Sequence, residues 1–209
     1  MYLIRHGETK GNKERTIEGH TDSELTDAGV LQAESLGETL GGVVFDAVYS
    51  SDLSRAMRTA EPMLRGRGLV MYQTKNLRER NFGRFEGMSI TEGVESLREA
   101  GVRHEGLSEE DSWRFKPEES IESNAELLSR FASELKAIAK TNPSKTVLIS
   151  THGGCIRMLL MKLKFAPYGS LPRGSFRNSG YVIIQCDGDD FAIQAVEGVT
   201  LDNDNKAWG

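Results

Sequence analysis

The sequence predicts an α/β fold in three layers: a mostly parallel sheet with helices on both faces, a terminal hairpin and a small cap insertion. Three observations lead there. Short apolar runs alternate with longer segments of helical spacing, the pattern of strand–helix units. Near the C-terminus two apolar runs flank a four-residue polar turn. Glycine is plentiful at 22 residues and proline scarce at 5, which suits tight strand–helix turns better than linkers.

Tyr2-Leu3-Ile4-Arg5 is a short apolar run that stops at His6-Gly7, a buried strand ending in a loop. Thr26 caps a helix in which Ala28, Leu31, Leu36 and Leu40 share one face, and Gly41-Gly42 end it. The run 43–49 predicts the second strand. Ser51 or Asp52 caps the next helix, which runs to about Leu64, and 69–72 is a third strand. Residues 78–118 are charged, glycine-punctuated and less periodic; they form the cap of about forty residues. An amphipathic helix spans 120–140, with Ile121, Ala125, Leu128, Phe131, Leu135 and Ile138 at helical spacing. A fourth strand at 146–150 precedes a helix at 153–164. The hairpin joins 181–186 to 191–196 around Asp187-Gly188-Asp189-Asp190. The tail Asp202-Asn203-Asp204-Asn205-Lys206 reads as loose.

The 209 residues form a single domain, 1–209, large enough for an apolar core. Hydrophobic residues at 38% and charged residues at 27% exclude a disordered chain. No apolar run approaches the ~18 residues of a membrane span. A net charge of −5 argues against a nucleic-acid surface. Cys155 and Cys186 make no disulfide framework, and no signal-peptide apolar region precedes Arg5. The expectation is a soluble, cytoplasmic protein with neither nucleic acid nor membrane as partner.

In open α/β sheets ligands bind beyond the carboxyl ends of the strands. His6 follows the first strand and His152 the fourth, each just before glycine. Either alone reads equally well as a satisfied polar residue at a strand end; together, with Arg5 adjacent, they predict one shared site. Arg55 lies one turn into the helix after the second strand, where its planar fork reaches the same edge and suits phosphate or carboxylate. Arg58, three residues on, reads as solvated. Two histidines and two arginines around one anion suggest phosphate chemistry. GxxxxGK[ST], GxGxxG, HExxH and CxxC are all absent, so no nucleotide loop, metal site or cofactor is expected.

Arg5-His6-Gly7-Glu8-Thr9, Asn12, Leu25-Thr26 with Gly29, Ser51-Asp52-Leu53-Ser54-Arg55-Ala56, Leu77-Arg78-Glu79-Arg80-Asn81-Phe82-Gly83 and Ser150-Thr151-His152-Gly153-Gly154 occur in this order. In them the chain resembles the histidine phosphatase (phosphoglycerate mutase-like) superfamily, from residue 2 to about residue 185. The resemblance implies that His6 is the nucleophile and that Arg5, Arg55 and His152 hold the transferring phosphoryl group. It implies that Glu79 is the proton donor, that Asn12 gives the phosphoryl oxygens a side-chain hydrogen bond and that Gly19 offers them a backbone N–H; Gly153 is a further candidate for substrate binding, and Arg80, directly after Glu79, is the candidate for contacting the substrate body. Glu79 within the charged run Arg78-Glu79-Arg80 also fits an ion pair. Glu8 would orient a pocket residue or cap the following segment. Two departures stand out. Glu18-Gly19 replaces the glutamine-glycine of many family phosphatases, placing a carboxylate where a dianion must bind. Trp113-Arg114-Phe115-Lys116-Pro117 loosely resembles the basic stretch with which mutases hold a substrate carboxylate.

These features imply a metal-independent phosphomonoesterase that hydrolyses small phosphorylated metabolites, sugar phosphates or phosphorylated organic acids, through a phosphohistidine. The alternative is a cofactor-dependent phosphoglycerate mutase. The stretch after the acid, Phe82-Gly83-Arg84-Phe85-Glu86-Gly87-Met88-Ser89, is closer to the phosphatase branch. A non-catalytic binding module on the same fold would have lost a pocket residue, and none is lost. Exposed sheet edges allow a homodimer.

Overall fold

The computed structural model describes residues 1–102 and 106–200; the polar tail at 202–206 lies outside them. Six strands, β1 (Tyr2–Arg5), β2 (Ala47–Ser51), β3 (Met71–Thr74), β4 (Val147–Thr151), β5 (Phe176–Cys186) and β6 (Phe191–Val199), form one sheet in the order β3-β2-β4-β1-β5-β6. The first four run parallel, while β5 is antiparallel to both β1 and β6. Among the described residues the helices are α1 (Lys10–Glu14), α2 (Asp27–Thr39), α3 (Ser54–Leu64), α4 (Ile90–Glu99), α5 (Glu109–Arg114), α6 (Asn124–Thr141) and α7 (Gly153–Lys162).

Strand alternation builds the layers. Leu3, Val147 and Ile149 project to one face, where Leu127, Phe131 and Leu135 of α6 and Ile156 and Leu159 of α7 pack on them. Ile4, Val48 and Leu148 project to the other, against Leu36 of α2 and Ala60 and Met63 of α3. Each large side chain fully buried this way stabilises the fold by about 1.5–3 kcal/mol. A smaller cluster, Ile17, Phe85 and Ile121, lies under the segment 78–118 and ties it to the loop after α1. The hairpin turn forms as the sequence predicts, Asp187 Oδ1 accepting from the N–H groups of Asp189 and Asp190 at 2.9 and 2.8 Å.

Several elements differ from expectation. β2 begins at Ala47 rather than 43, because the Val43 N–H closes α2 onto Leu40 O at 2.9 Å. β3 begins at Met71 rather than 69. On α2 the buried face is Gly29, Ala33 and Leu36; Ala28 is exposed and Leu31 is 69% exposed. α6 starts at Asn124, where Ser123 and Glu126 form a reciprocal capping box, so Ile121 belongs to the small cluster. α3 is not capped by Ser51 or Asp52: its Ser54 N–H donates to Asp22 Oδ2 at 2.7 Å, and Asp52 pairs with Arg78. The segment 78–118 holds two helices, α4 and α5, each with a serine N-cap.

Candidate active site

β1 and β4 are neighbours with Arg5 opposite Thr151, so His6 and His152 leave the sheet side by side. Their ring centroids lie 5.2 Å apart at 60°, and both residues are buried. His6 Nδ1 lies 2.8 Å from the Gly7 carbonyl, which can only accept, so Nδ1 carries the proton and Nε2 the lone pair. Burial, then the Arg55 and Arg5 charges, hold His6 well below its ordinary 6.5. Burial, then Arg55 and His6, do the same to His152. Both imidazoles are neutral near pH 7.

Arg55 is wholly buried, unlike most helical arginines. Its Nη1 donates to Thr21 O at 2.9 Å and its Nη2 to Gly19 O at 2.7 Å, which orients the fork. Gly19 takes φ +56°, and a Cβ there would lie 2.2 Å from Glu86 Oε1, so glycine is required. The Gly19 carbonyl thus orients Arg55. Arg5 Nη1 donates to Phe176 O. Four sealed atoms of the pocket have no hydrogen-bond partner: Arg5 Nε, Arg55 Nε and both ring nitrogens of His152. Glu18 does not point away from this pocket. Its Oε2 accepts from Asn12 Nδ2 at 3.1 Å and lies 4.0 Å from Arg55 Nε, while Oε1 has no partner. One of the two Asn12 N–H donors is thus engaged by Glu18, and its Oδ1 accepts from Asn178 at 2.9 Å.

Glu79 is an anion of backbone amides rather than of its flanking arginines. Oε1 accepts from the Arg80 N–H and Oε2 from the Gly154 N–H at the start of α7, both at 2.8 Å. Burial pushes its pKa up, but those two N–H groups, then Arg55 and Arg157, outweigh it and hold the carboxyl below its usual range. The Glu79 carbonyl is clamped by Arg130 Nη2 at 2.7 Å and His20 Nε2 at 2.9 Å. A Cβ on Gly153 would meet Arg5 Nε at 3.0 Å, so the α7 N-terminus abuts the pocket. Arg80 lies beside Glu79 with its guanidinium 5.7 Å from the Phe82 ring. Glu8 accepts from the Thr26 hydroxyl at 2.7 Å and so anchors the start of α2. Arg58 is exposed, as expected. Arg114 and Lys116 do not join the site: they pair with Glu110 and with Glu119 and Glu126. The Cys155 thiol is buried against Arg78 O, and burial pushes its pKa up, so it stays protonated.

Sequence reasoning missed Asn178, Arg157 and Arg173. Asn178 Nδ2 donates to the His6 carbonyl at 3.1 Å and to Asn12. Arg157 had a signal: it is the one charged residue in the stretch Cys155 to Met161 of an apolar helix. Among the described residues no group of three or more His, Cys, Asp or Glu side chains could hold a metal ion, and no helix is long and apolar enough to cross a membrane.

The family model for the histidine phosphatase superfamily (branch 1) matches residues 1–198. The chain belongs to that superfamily. A broad-specificity phosphatase of Saccharomyces cerevisiae is 35% identical to this histidine phosphatase over 79% of the chain and 70% of its own length. Phosphoglycerate mutase-like protein 4 of Arabidopsis thaliana is 34% identical over 93% of the chain and 83% of its own length. The solved structure of Bacillus stearothermophilus YhfR, 32% identical, matches with a TM-score of 0.81 and covers 95% of this chain and 96% of its own.

Proposed function

We propose that this histidine phosphatase hydrolyses small phosphate monoesters without a metal ion, through a phosphohistidine on His6. The observation that carries this is the set of sealed, unpartnered nitrogens on Arg5, Arg55 and His152 around the free Nε2 of His6. A buried polar group without a partner costs about 1–3 kcal/mol, and a phosphoryl group supplies acceptors for the arginine N–H groups and for the one ring N–H that a neutral His152 carries. His6 Nε2 attacks phosphorus with its lone pair and the ester P–O bond breaks. Arg5 and Arg55 meet charge on the equatorial oxygens, and a neutral His152 donates from one ring nitrogen. The leaving oxygen takes its proton from Glu79. Water then loses a proton to Glu79 and attacks phosphorus, and the P–N pair returns to Nε2. Glu79 is ionised in the resting site, so the entering dianion, by neutralising Arg55, raises its affinity for the proton it must carry. The phosphatase name of the yeast relative supports hydrolysis.

Quenching the enzyme with substrate in alkali traps phosphate on His6, since phosphohistidine survives base and is lost in acid. Label retained on a His6→Ala protein refutes the nucleophile. The mutase-like name of the plant relative supports the second reading, a phosphoglycerate mutase with the same phosphohistidine. Turnover of monophosphates that requires a bisphosphorylated primer would select it.

A further inference from the structure

We propose that Arg157 and Arg173, with Arg80, form a second anion-binding subsite on the leaving-group side of the pocket. The preferred substrate is then a phosphate ester whose alcohol portion bears its own carboxylate or second phosphate. This rests on the phosphatase reading and narrows its substrate class.

Arg157 lies three residues beyond Gly154 on α7, the same helix face, and Gly154 holds the Glu79 carboxylate. Arg157 therefore stands beside the group that protonates the leaving oxygen. Its residue is partly exposed, yet Nε and Nη1 are sealed from solvent without a hydrogen-bond partner. Arg173, in the connection from α7 to β5, places its guanidinium 4.9 Å from the Phe82 ring, and Arg80 places its own 5.7 Å from the same ring. One aromatic side chain thus has two guanidinium groups within about 6 Å of its ring centre, and Arg157 is close enough to feel both charges.

Acidic residues outnumber basic ones in this chain, 31 to 26. Most of its other ordered arginines have taken a carboxylate: Arg65 with Glu34, Arg78 with Asp52, Arg84 with Glu118, Arg130 with Glu122. Among the described residues Arg80, Arg157 and Arg173 form no ion pair and no side-chain hydrogen bond. The carboxylates that face them are Glu79, already satisfied by two backbone N–H groups; for Arg80, Glu122, already paired with Arg130; and, for Arg173, Glu18, already shared by Asn12 and Arg55. Burial, then the Arg80 and Arg173 charges, push Arg157 down to about 9. Three like charges in a desolvated pocket repel one another, and an anion on the substrate relieves that cost with forked hydrogen bonds. The transferring phosphoryl group does not supply it, because Arg5 and Arg55 already serve that group.

The test is a matched series: propyl phosphate, its analogue with a terminal carboxylate, and propane-1,3-diol bisphosphate. The wild-type enzyme should prefer at least one acidic ester over propyl phosphate by about tenfold or more in kcat/KM, and the two acidic arms show which anion fits. Arg157→Gln and Arg173→Gln should each erase most of that ratio, chiefly through KM, and lysine at either position should restore part of it. Two variants are used so that misfolding of one does not decide the matter. No wild-type preference, or a ratio unchanged in both variants, overturns the subsite. If nitrophenyl phosphate and all three esters are left intact by the wild type, it is the phosphatase reading that fails. Calorimetric binding of the same series to the His6→Ala protein then judges the subsite alone, tighter binding of an acidic ester supporting it and equal binding refuting it.

Discussion

Two carboxylates decide how the pocket handles charge. Glu79 is held ionised by two N–H groups, yet an alkoxide needs a proton to leave. Its contribution should scale with that need. Glu79→Gln should slow single-turnover phosphorylation of His6 by an alkyl phosphate by roughly 10²–10⁴-fold, and by far less with nitrophenyl phosphate, whose leaving group departs unprotonated. An equal loss for both esters would make Glu79 a positioning group. Glu18 acts in the opposite sense. Its carboxylate rests against Asn12 and Arg55, where the proposed mechanism seats a phosphoryl oxygen, and its free Oε1 has no donor. Glu18→Gln removes one negative charge from that contact while keeping an acceptor for Asn12. Inorganic phosphate should then inhibit competitively about tenfold more tightly at neutral pH, ~1.4 kcal/mol. An unchanged inhibition constant would mean that Glu18 has already swung aside when phosphate arrives.

At the level of elements, α7 is the working part, because its first turn both holds Glu79 and abuts Arg5. A Cβ on Gly154 would lie 2.1 Å from Glu79 Oε1. Gly154→Ala should therefore displace the carboxylate while leaving the helix intact or stabilised by up to about 1 kcal/mol. Thermal stability is expected to hold as kcat/KM for alkyl phosphates falls tenfold or more; wild-type rates would show that Glu79 does not depend on this amide. The strand carrying His6, the strand carrying His152 and the hairpin were legible in sequence because each is a short apolar run ending at glycine or a turn. The start of α3 was not, because its capping carboxylate, Asp22, comes from a loop far upstream. Ser89-Ile90-Thr91-Glu92 was a readable capping box for α4, masked by the charge around it. Arg55 was found because a motif marked it. Arg173 carries no local mark, since only the folded chain brings its loop over Phe82.

For the molecule as a whole, the central position of β1 and β4 has a thermodynamic consequence. It brings His6 and His152 together at the carboxyl ends of the two strands, where burial keeps them neutral. The unfolded chain takes up protons at these positions once pH falls below their ordinary 6.5, whereas the folded protein does not. Unfolding thus consumes protons, and stability must fall as pH drops from 6.5 toward the lowered folded values. Each histidine contributes up to about 1.4 kcal/mol per pH unit in that window. His20, half-buried and also lowered chiefly by burial, adds a smaller share of the same sign. Glu79 joins further down: its stabilising contribution is present above the ordinary 4.5 and is lost as pH falls through its lower folded value. The melting temperature should therefore decline between pH 6.5 and 5, before the carboxylates titrate. A His6→Asn, His152→Asn protein should show a shallower decline, by up to two protons per molecule unfolded. If its slope matches that of the wild type, the acid sensitivity lies outside the pocket and the two imidazoles are not the neutral, desolvated pair described above.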